Sequence, residues 1–139
     1  MKRRTVLKGA AGTLSLGLMA PAIASPSVAD GYSGQHNFVL VHGTWHGAWV
    51  WAEVASLLRA KGHNVITPTC TGCGERVHLS TSDIGLETHI TDIENSITWA
   101  EMDSVVLVGH SFSGITITGV ADRLTNRIQQ IIFFDAIVP

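Results

Sequence analysis

Gly109-His110-Ser111-Phe112-Ser113-Gly114 carries the most reactive potential in this 139-residue chain. A serine flanked two residues before and two after by small side chains suits a sharp turn from a strand into a helix. Such a nucleophile elbow lifts the hydroxyl above the sheet. The turn forces the serine into strained backbone angles, so bulky neighbours at those positions would collide. Gly109 meets the requirement. Ser113 stands where the usual pattern has glycine, is sterically tolerable, and has Gly114 directly behind it. The chemistry implied is attack by the Ser111 hydroxyl on a carbonyl carbon. The Phe112 N–H, at the start of the following helix, would face the oxygen of the tetrahedral intermediate. The Thr44 N–H, just past His42-Gly43, would supply a second donor. Two such preorganised donors contribute about 3 kcal/mol each to lowering the barrier.

Other reactive side chains are weighed less heavily. His110 adjoins Ser111 but points elsewhere, because adjacent residues at a sharp turn do not share a side. His42 and His46 are read as loop structure and pocket lining, and as a metal pair they lack a third ligand. His36, His63, His78 and His89 are read as surface or loop residues. Asp135 is read as a strand-end residue with a local hydrogen bond. Cys70 and Cys73 form a Cys-x-x-Cys early in a loop, where a structural disulfide is favoured over a redox pair and two free thiols are the alternative. Glu75-Arg76 is read as a loop-fixing charged pair. Trp45, Trp49 and Trp51 are expected in core packing.

These residues need elements to hold them. Asn37 to Val41 is a continuous apolar run, as in a strand buried on both faces. Trp49 to Lys61 has helical spacing and stops at Gly62. Asn64 to Thr67 reads as a second short strand, Thr69 to Gly85 as a long polar loop, and Leu86 to Glu101 as a helix. Ser104 to Val108 is a third strand, Ser113 to Leu124 a third helix, and Gln130 to Phe134 a fourth strand. Strands alternating with helices predict βαβ units and a mainly parallel sheet flanked by helices, an α/β fold.

Three segments together resemble a known family: Phe38-Val-Leu-Val-His-Gly-Thr-Trp-His-Gly-Ala-Trp49, Thr71-Gly-Cys-Gly-Glu-Arg76 with His78-Leu79, and Gly109-His-Ser-Phe-Ser-Gly114. They are similar to the α/β-hydrolase superfamily, and within it to the small methylesterase and hydroxynitrile-lyase branch with its bacterial salicylate-esterase-like relatives. The resemblance implies the α/β-hydrolase fold and a Ser-His-Asp hydrolase with no metal or organic cofactor. It makes Ser111 the nucleophile and Thr44 and Phe112 the oxyanion donors. Lyase members carry threonine directly after the first histidine of the loop. Gly43 stands there instead, which favours ester hydrolysis over a hydroxynitrile-lyase-like enzyme. A catalytically inert fragment or binding protein is the other alternative: the absence of a histidine after Ser111 argues for it, and the intact elbow argues for an enzyme. Cys73 replaces the family's leucine.

The family order is Ser, then acid, then His, and no histidine follows Ser111. The chain is therefore expected to be the N-terminal part of a hydrolase, truncated after the fourth predicted strand. Alone it would be unstable and hydrolytically inactive, with a bare apolar edge strand.

Residues 1–29 read as a twin-arginine-type signal peptide: Arg3-Arg4 followed by Val6-Leu7-Lys8, a mildly apolar stretch, and cleavage after Ala24 or Ala29. Residues 30–139 are the hydrolase part. The expected location is periplasmic or secreted, with the twin-arginine export machinery as a partner and no stable membrane anchor. Removing the signal leaves five basic residues against eleven acids, a net charge of −6. An acidic domain without a basic cluster argues against nucleic acid and anionic membranes as partners; a small-molecule ester as substrate is what the family resemblance implies.

Overall fold

A computed structural model of the protein describes residues 34–139. The expected signal peptide and its cleavage sites lie outside the described residues. Strand β1 (Asn37–Val41) leads through a loop and a short 3-10 turn (Ala48–Trp51) into helix α1 (Ala52–Ala60), then strand β2 (Asn64–Ile66). Helix α2 (Leu86–Trp99), strand β3 (Val105–Ser111), helix α3 (Ser113–Arg123) and strand β4 (Ile128–Ala136) follow. All pairings are parallel, and the strand order is β2-β1-β3-β4.

The apolar runs form strands because both faces of the sheet are covered. On one face Val39, Val41, Val105 and Leu107 pack with Ile90, Ile93 and Ile97 of α2 and Ile117 and Val120 of α3. On the other, Leu40, Val106 and Val108 pack with Val65, Trp51 and Ala55. Alternate residues therefore face opposite cores, and neither set is left to solvent. β4 is the outer strand on its side, and Phe134, Ile137 and Val138 at its end are exposed.

The chain moves outward from β1 to β2, then crosses back to place β3 on the other side of β1. The topological switch point thus lies between β1 and β3, and ligands of open α/β sheets bind outside the carboxyl ends of strands at such a point. The loop after β1 and the turn after β3 meet there.

Four expectations need correction. The Thr69–Gly85 stretch is not all loop, since Gly74–Leu79 forms a 3-10 turn. β3 and β4 are longer than their apolar cores, because the parallel ladder continues to Ser111 and Ala136. Trp51 is core, but Trp45, in the loop after β1, and Trp49, on the outer side of the 3-10 turn whose inner side buries Trp51, are exposed. Asp135 does not end its strand. His110 pairs with Phe134 and Ser111 with Ala136, so Asp135 is bulged out of β4, exposed and with φ of 44°.

Candidate active site

β3 runs directly into α3, and Ser111 at the junction has φ of 56°, in the left-handed region that side chains with a Cβ avoid. The turn fits only with small flanking residues. A Cβ on Gly109 would lie 2.7 Å from Ile117 Cδ1 and 3.0 Å from the Ser113 carbonyl oxygen. A Cβ on Gly114 would run into the Ile137 carbonyl. Ser113 is more than tolerated. Its buried Oγ lies 2.8 Å from the His110 carbonyl oxygen and 3.1 Å from that of Val41, so one hydroxyl ties the elbow to the end of β1. The Ile137 N–H donates to the Ser111 carbonyl at 3.0 Å, anchoring the elbow to the β4 end.

The loop after β1 folds against this elbow. A Cβ on Gly43 would stand 3.0 Å from both the Ser111 Cβ and His110 Nδ1. Residues 43–46 form a turn, with the His46 N–H donating to the Gly43 carbonyl at 3.3 Å and Trp45 at φ of 63°. His42 is buried and uses both ring nitrogens. Nδ1 lies 2.8 Å from the Gly43 carbonyl oxygen, and the Cys70 N–H lies 3.1 Å from Nε2. Because Nε2 must accept from an N–H, the proton is assigned to Nδ1. Burial holds the His42 pKa below its ordinary value, against the opposing pull of the Gly43 carbonyl. The Ala48 N–H donates to Thr69 Oγ1 at 2.8 Å, a second link between the loops after β1 and β2.

His110 turns to the opposite face of the sheet. Its ring lies 5.9 Å from Phe134, 6.4 Å from Trp51 and 6.0 Å, stacked, from His46. His36 and His63 pack with Phe38 at the other end of β1, and His78 is exposed.

The loop after β2 is held by a residue that the motifs did not reveal. Asp92 of α2 accepts the Thr71 N–H at 2.6 Å and the Thr71 hydroxyl at 3.0 Å. Arg76 donates to the Thr69 carbonyl and to Thr71 Oγ1, both at 2.8 Å, and lies 4.0 Å from Asp92. Glu75 instead bonds the Thr69 hydroxyl, which holds its carboxyl below the ordinary range. Glu75 and Arg76 therefore fix the loop separately rather than as a pair. Cys70 and Cys73 are free thiols, with the Cys73 N–H donating to the Cys70 carbonyl at 3.1 Å across a turn containing Gly72 at φ of 81°. Burial pushes the Cys70 thiol up to about 12 and raises Cys73 as well, so neither is an activated thiolate.

These loops border a half-open cavity of about 150 Å³. Thr44, Phe112, Gly43, His42, Ser113 and Thr116 form one side, and Cys70, Cys73 and His89 the other. The two expected oxyanion residues thus border one space. Neither of their N–H groups donates to a turn or loop carbonyl among the described residues. His89, expected at the surface, stands in the cavity wall with Nε2 3.1 Å from the Thr71 carbonyl oxygen, because the first turn of α2 packs beneath that loop. Among the described residues no cluster of three His, Cys, Asp or Glu could hold a metal ion.

The alpha/beta hydrolase family matches residues 38–139, from the first strand through the elbow to the last residue. The chain belongs to this family. The chain is 53% identical over 103 residues to a carbendazim-hydrolyzing esterase of Nocardioides sp. (strain SG-4G), covering 74% of this chain and 43% of that one. It is 35% identical over 107 residues to an alpha-hydroxynitrile lyase of Arabidopsis thaliana, covering 76% and 41%. A solved extracellular alpha/beta-hydrolase of a Paenibacillus species, described as sharing structural and functional homology with tobacco salicylic acid binding protein 2, superposes with a TM-score of 0.69 at 36% identity. That match covers 75% of this chain and 42% of the other. The chain thus spans about two-fifths of the length of these relatives.

Proposed function

We propose that the protein is an exported serine carboxylesterase acting on small, partly apolar esters. The observation that carries this reading is Ser111, held at φ of 56° on a strand-to-helix turn beside the loop that presents Thr44. A strained, over-determined backbone at a strand end is the kind of feature that functional sites keep. The Ser111 hydroxyl attacks the ester carbonyl, the Thr44 and Phe112 amides hold the oxyanion, the alcohol departs, and water releases the acid from the acyl-enzyme. His42 does not act as the base, since both its nitrogens are committed to the loops. His110 lies among aromatic rings on the other face of the sheet. The triad's histidine and acid are assigned to the part of the relatives' length that this chain does not span.

A hydroxynitrile-lyase reading has a relative in its support, but Gly43 weighs against it. The resemblance associates lyase members with threonine at that position. Here a side chain would press on the Ser111 Cβ and His110 at 3.0 Å. The deciding test is turnover by the whole protein of methyl and p-nitrophenyl esters against a cyanohydrin, with Ser111→Ala alongside. Ester hydrolysis lost in the variant supports the proposal; cyanohydrin cleavage without ester hydrolysis overturns it. Export is tested separately: replacing Arg3 and Arg4 by lysine should retain the protein in the cytoplasm, and unchanged export would refute the twin-arginine route.

A further inference from the structure

Cys70 and Cys73 stand at the first and fourth positions of a β-turn. The Cys73 N–H donates to the Cys70 carbonyl at 3.1 Å, and Gly72 in the third position has φ of 81°, as a type II turn requires. Such turns hold their end Cα atoms within about 7 Å, and disulfides span roughly 4.4–6.8 Å between Cα atoms. Both side chains line the same cavity, and Cys73 packs against the core cluster that contains Cys70. The turn keeps this shape without a bridge. Thr71, its second residue, is held by Asp92 and Arg76, and the Cys70 N–H is held by His42 Nε2. Packing accounts for the buried Cys70 but asks for no second thiol at the half-buried position 73.

We propose that Cys70 and Cys73 are a disulfide-forming site, closed by exchange with an external disulfide once the folded chain meets an oxidising compartment. The inference does not use the esterase reading. Export enters only as the source of a compartment in which such bonds persist.

Exposure sets the order of events. Cys73 is half-buried and Cys70 fully buried, so Cys73 meets the incoming disulfide, RSSR, first. Cys73 gives up its proton, its sulfur attacks one sulfur of RSSR, and the S–S bond breaks. RSH departs with the proton and leaves Cys73–S–S–R. The Cys70 sulfur then gives up its proton, attacks Cys73 Sγ and expels the second RSH. The two cysteines lose two electrons, and RSSR gains them.

The pair is suited to a structural bond rather than to redox cycling. Cycling Cys-x-x-Cys pairs sit at helix N-termini, where a stabilised thiolate favours the reduced form. Here burial, with Asp92 and Cys73 adding to it, pushes the Cys70 thiol up to about 12, and burial with Asp92 raises Cys73. No thiolate stabilisation opposes the bridge, so it closes slowly and stays closed. It ties down the cavity wall across from Thr44 and Phe112, at the residue whose N–H holds His42.

Bis(2-hydroxyethyl) disulfide, compact and uncharged, tests this on the whole folded protein after full reduction. One tryptic peptide, residues 62–76, carries both cysteines. Closure is read as the loss of two hydrogens from that peptide, with loss of iodoacetamide labelling at both positions after unfolding. In Cys70→Ser the reaction should stop at a stable mercaptoethanol adduct on Cys73. In Cys73→Ser the buried Cys70 should remain an unmodified thiol. Two persistent adducts in the wild type, or two thiols that still label fully, overturn the site. An adduct on Cys70 in Cys73→Ser overturns the order of attack.

Discussion

Replacing His42 by phenylalanine tests whether the loop carrying Thr44 is held by a neutral, doubly bonded imidazole. Phenylalanine preserves most of the buried volume and removes both hydrogen bonds. The Gly43 carbonyl keeps the His46 N–H at 3.3 Å, so its loss is that of one ordinary bond, about 0.5–1.5 kcal/mol. The Cys70 N–H loses its acceptor inside a buried loop, which costs about 1–3 kcal/mol. The sum is about 1.5–4.5 kcal/mol, and at about 4–8 °C per kcal/mol for a domain of this size, Tm should fall by about 6 °C or more. The pH dependence has a definite sign. Burial lowers the folded pKa of His42 below its ordinary 6.5, so the unfolded chain binds the proton more readily. This contribution is complete above pH 6.5 and is lost as pH falls through the folded value. Thermal unfolding of wild type and variant across that range should show a destabilisation on acidification that the variant lacks. A variant within about 2 °C of wild type, or one with the same pH slope, would refute the clamp.

Gly114→Ala and Gly119→Ala form a paired test of backbone approach. Each gains about 1 kcal/mol of helix propensity. At position 114 the new methyl meets the Ile137 backbone carbonyl, whereas at 119 it meets only the tip of the Ile90 side chain. Urea unfolding should show a loss of about 2–3 kcal/mol or more for Gly114→Ala and a clearly smaller one for Gly119→Ala; equal effects would contradict the packing. Asp92→Asn puts an amide where two donors from Thr71 now converge on a carboxylate, and should cost about 1–3 kcal/mol in the same assay. Arg76→Gln, whose partner is reached from a half-exposed side chain, should cost less; the opposite order would mean that Arg76, not Asp92, holds the loop.

The fold was legible because its strands are buried on both faces. Asn37–Val41 and the run ending at Val108 could be nothing but central strands, and the helices between them showed their apolar spacing. The elbow was legible as a pattern, but the part played by Ser113 was not. Its Oγ bonds carbonyls at 110 and 41, a link between two strands that no local spacing reveals. Asp92 stayed hidden for a similar reason. On α2 it reads as one more solvated helical carboxylate until the loop 21 residues earlier folds back onto it. His89 shares that helix and that loop. Residue type alone puts Trp45 and Trp49 in the core, whereas the loop after β1 and the outer side of the 3-10 turn leave them exposed. Glu75 and Arg76 suggested a pair because they are adjacent, yet each found a better partner in the surrounding loops.

The most direct measurement is to react the whole protein with a fluorophosphonate and map the adduct by peptide mass spectrometry, with Ser111→Ala as the control. The expected result is a single phosphonylated residue, Ser111, with no adduct in the variant. An adduct on another residue, or ester hydrolysis that persists in Ser111→Ala, would contradict the assignment of the elbow as the catalytic centre.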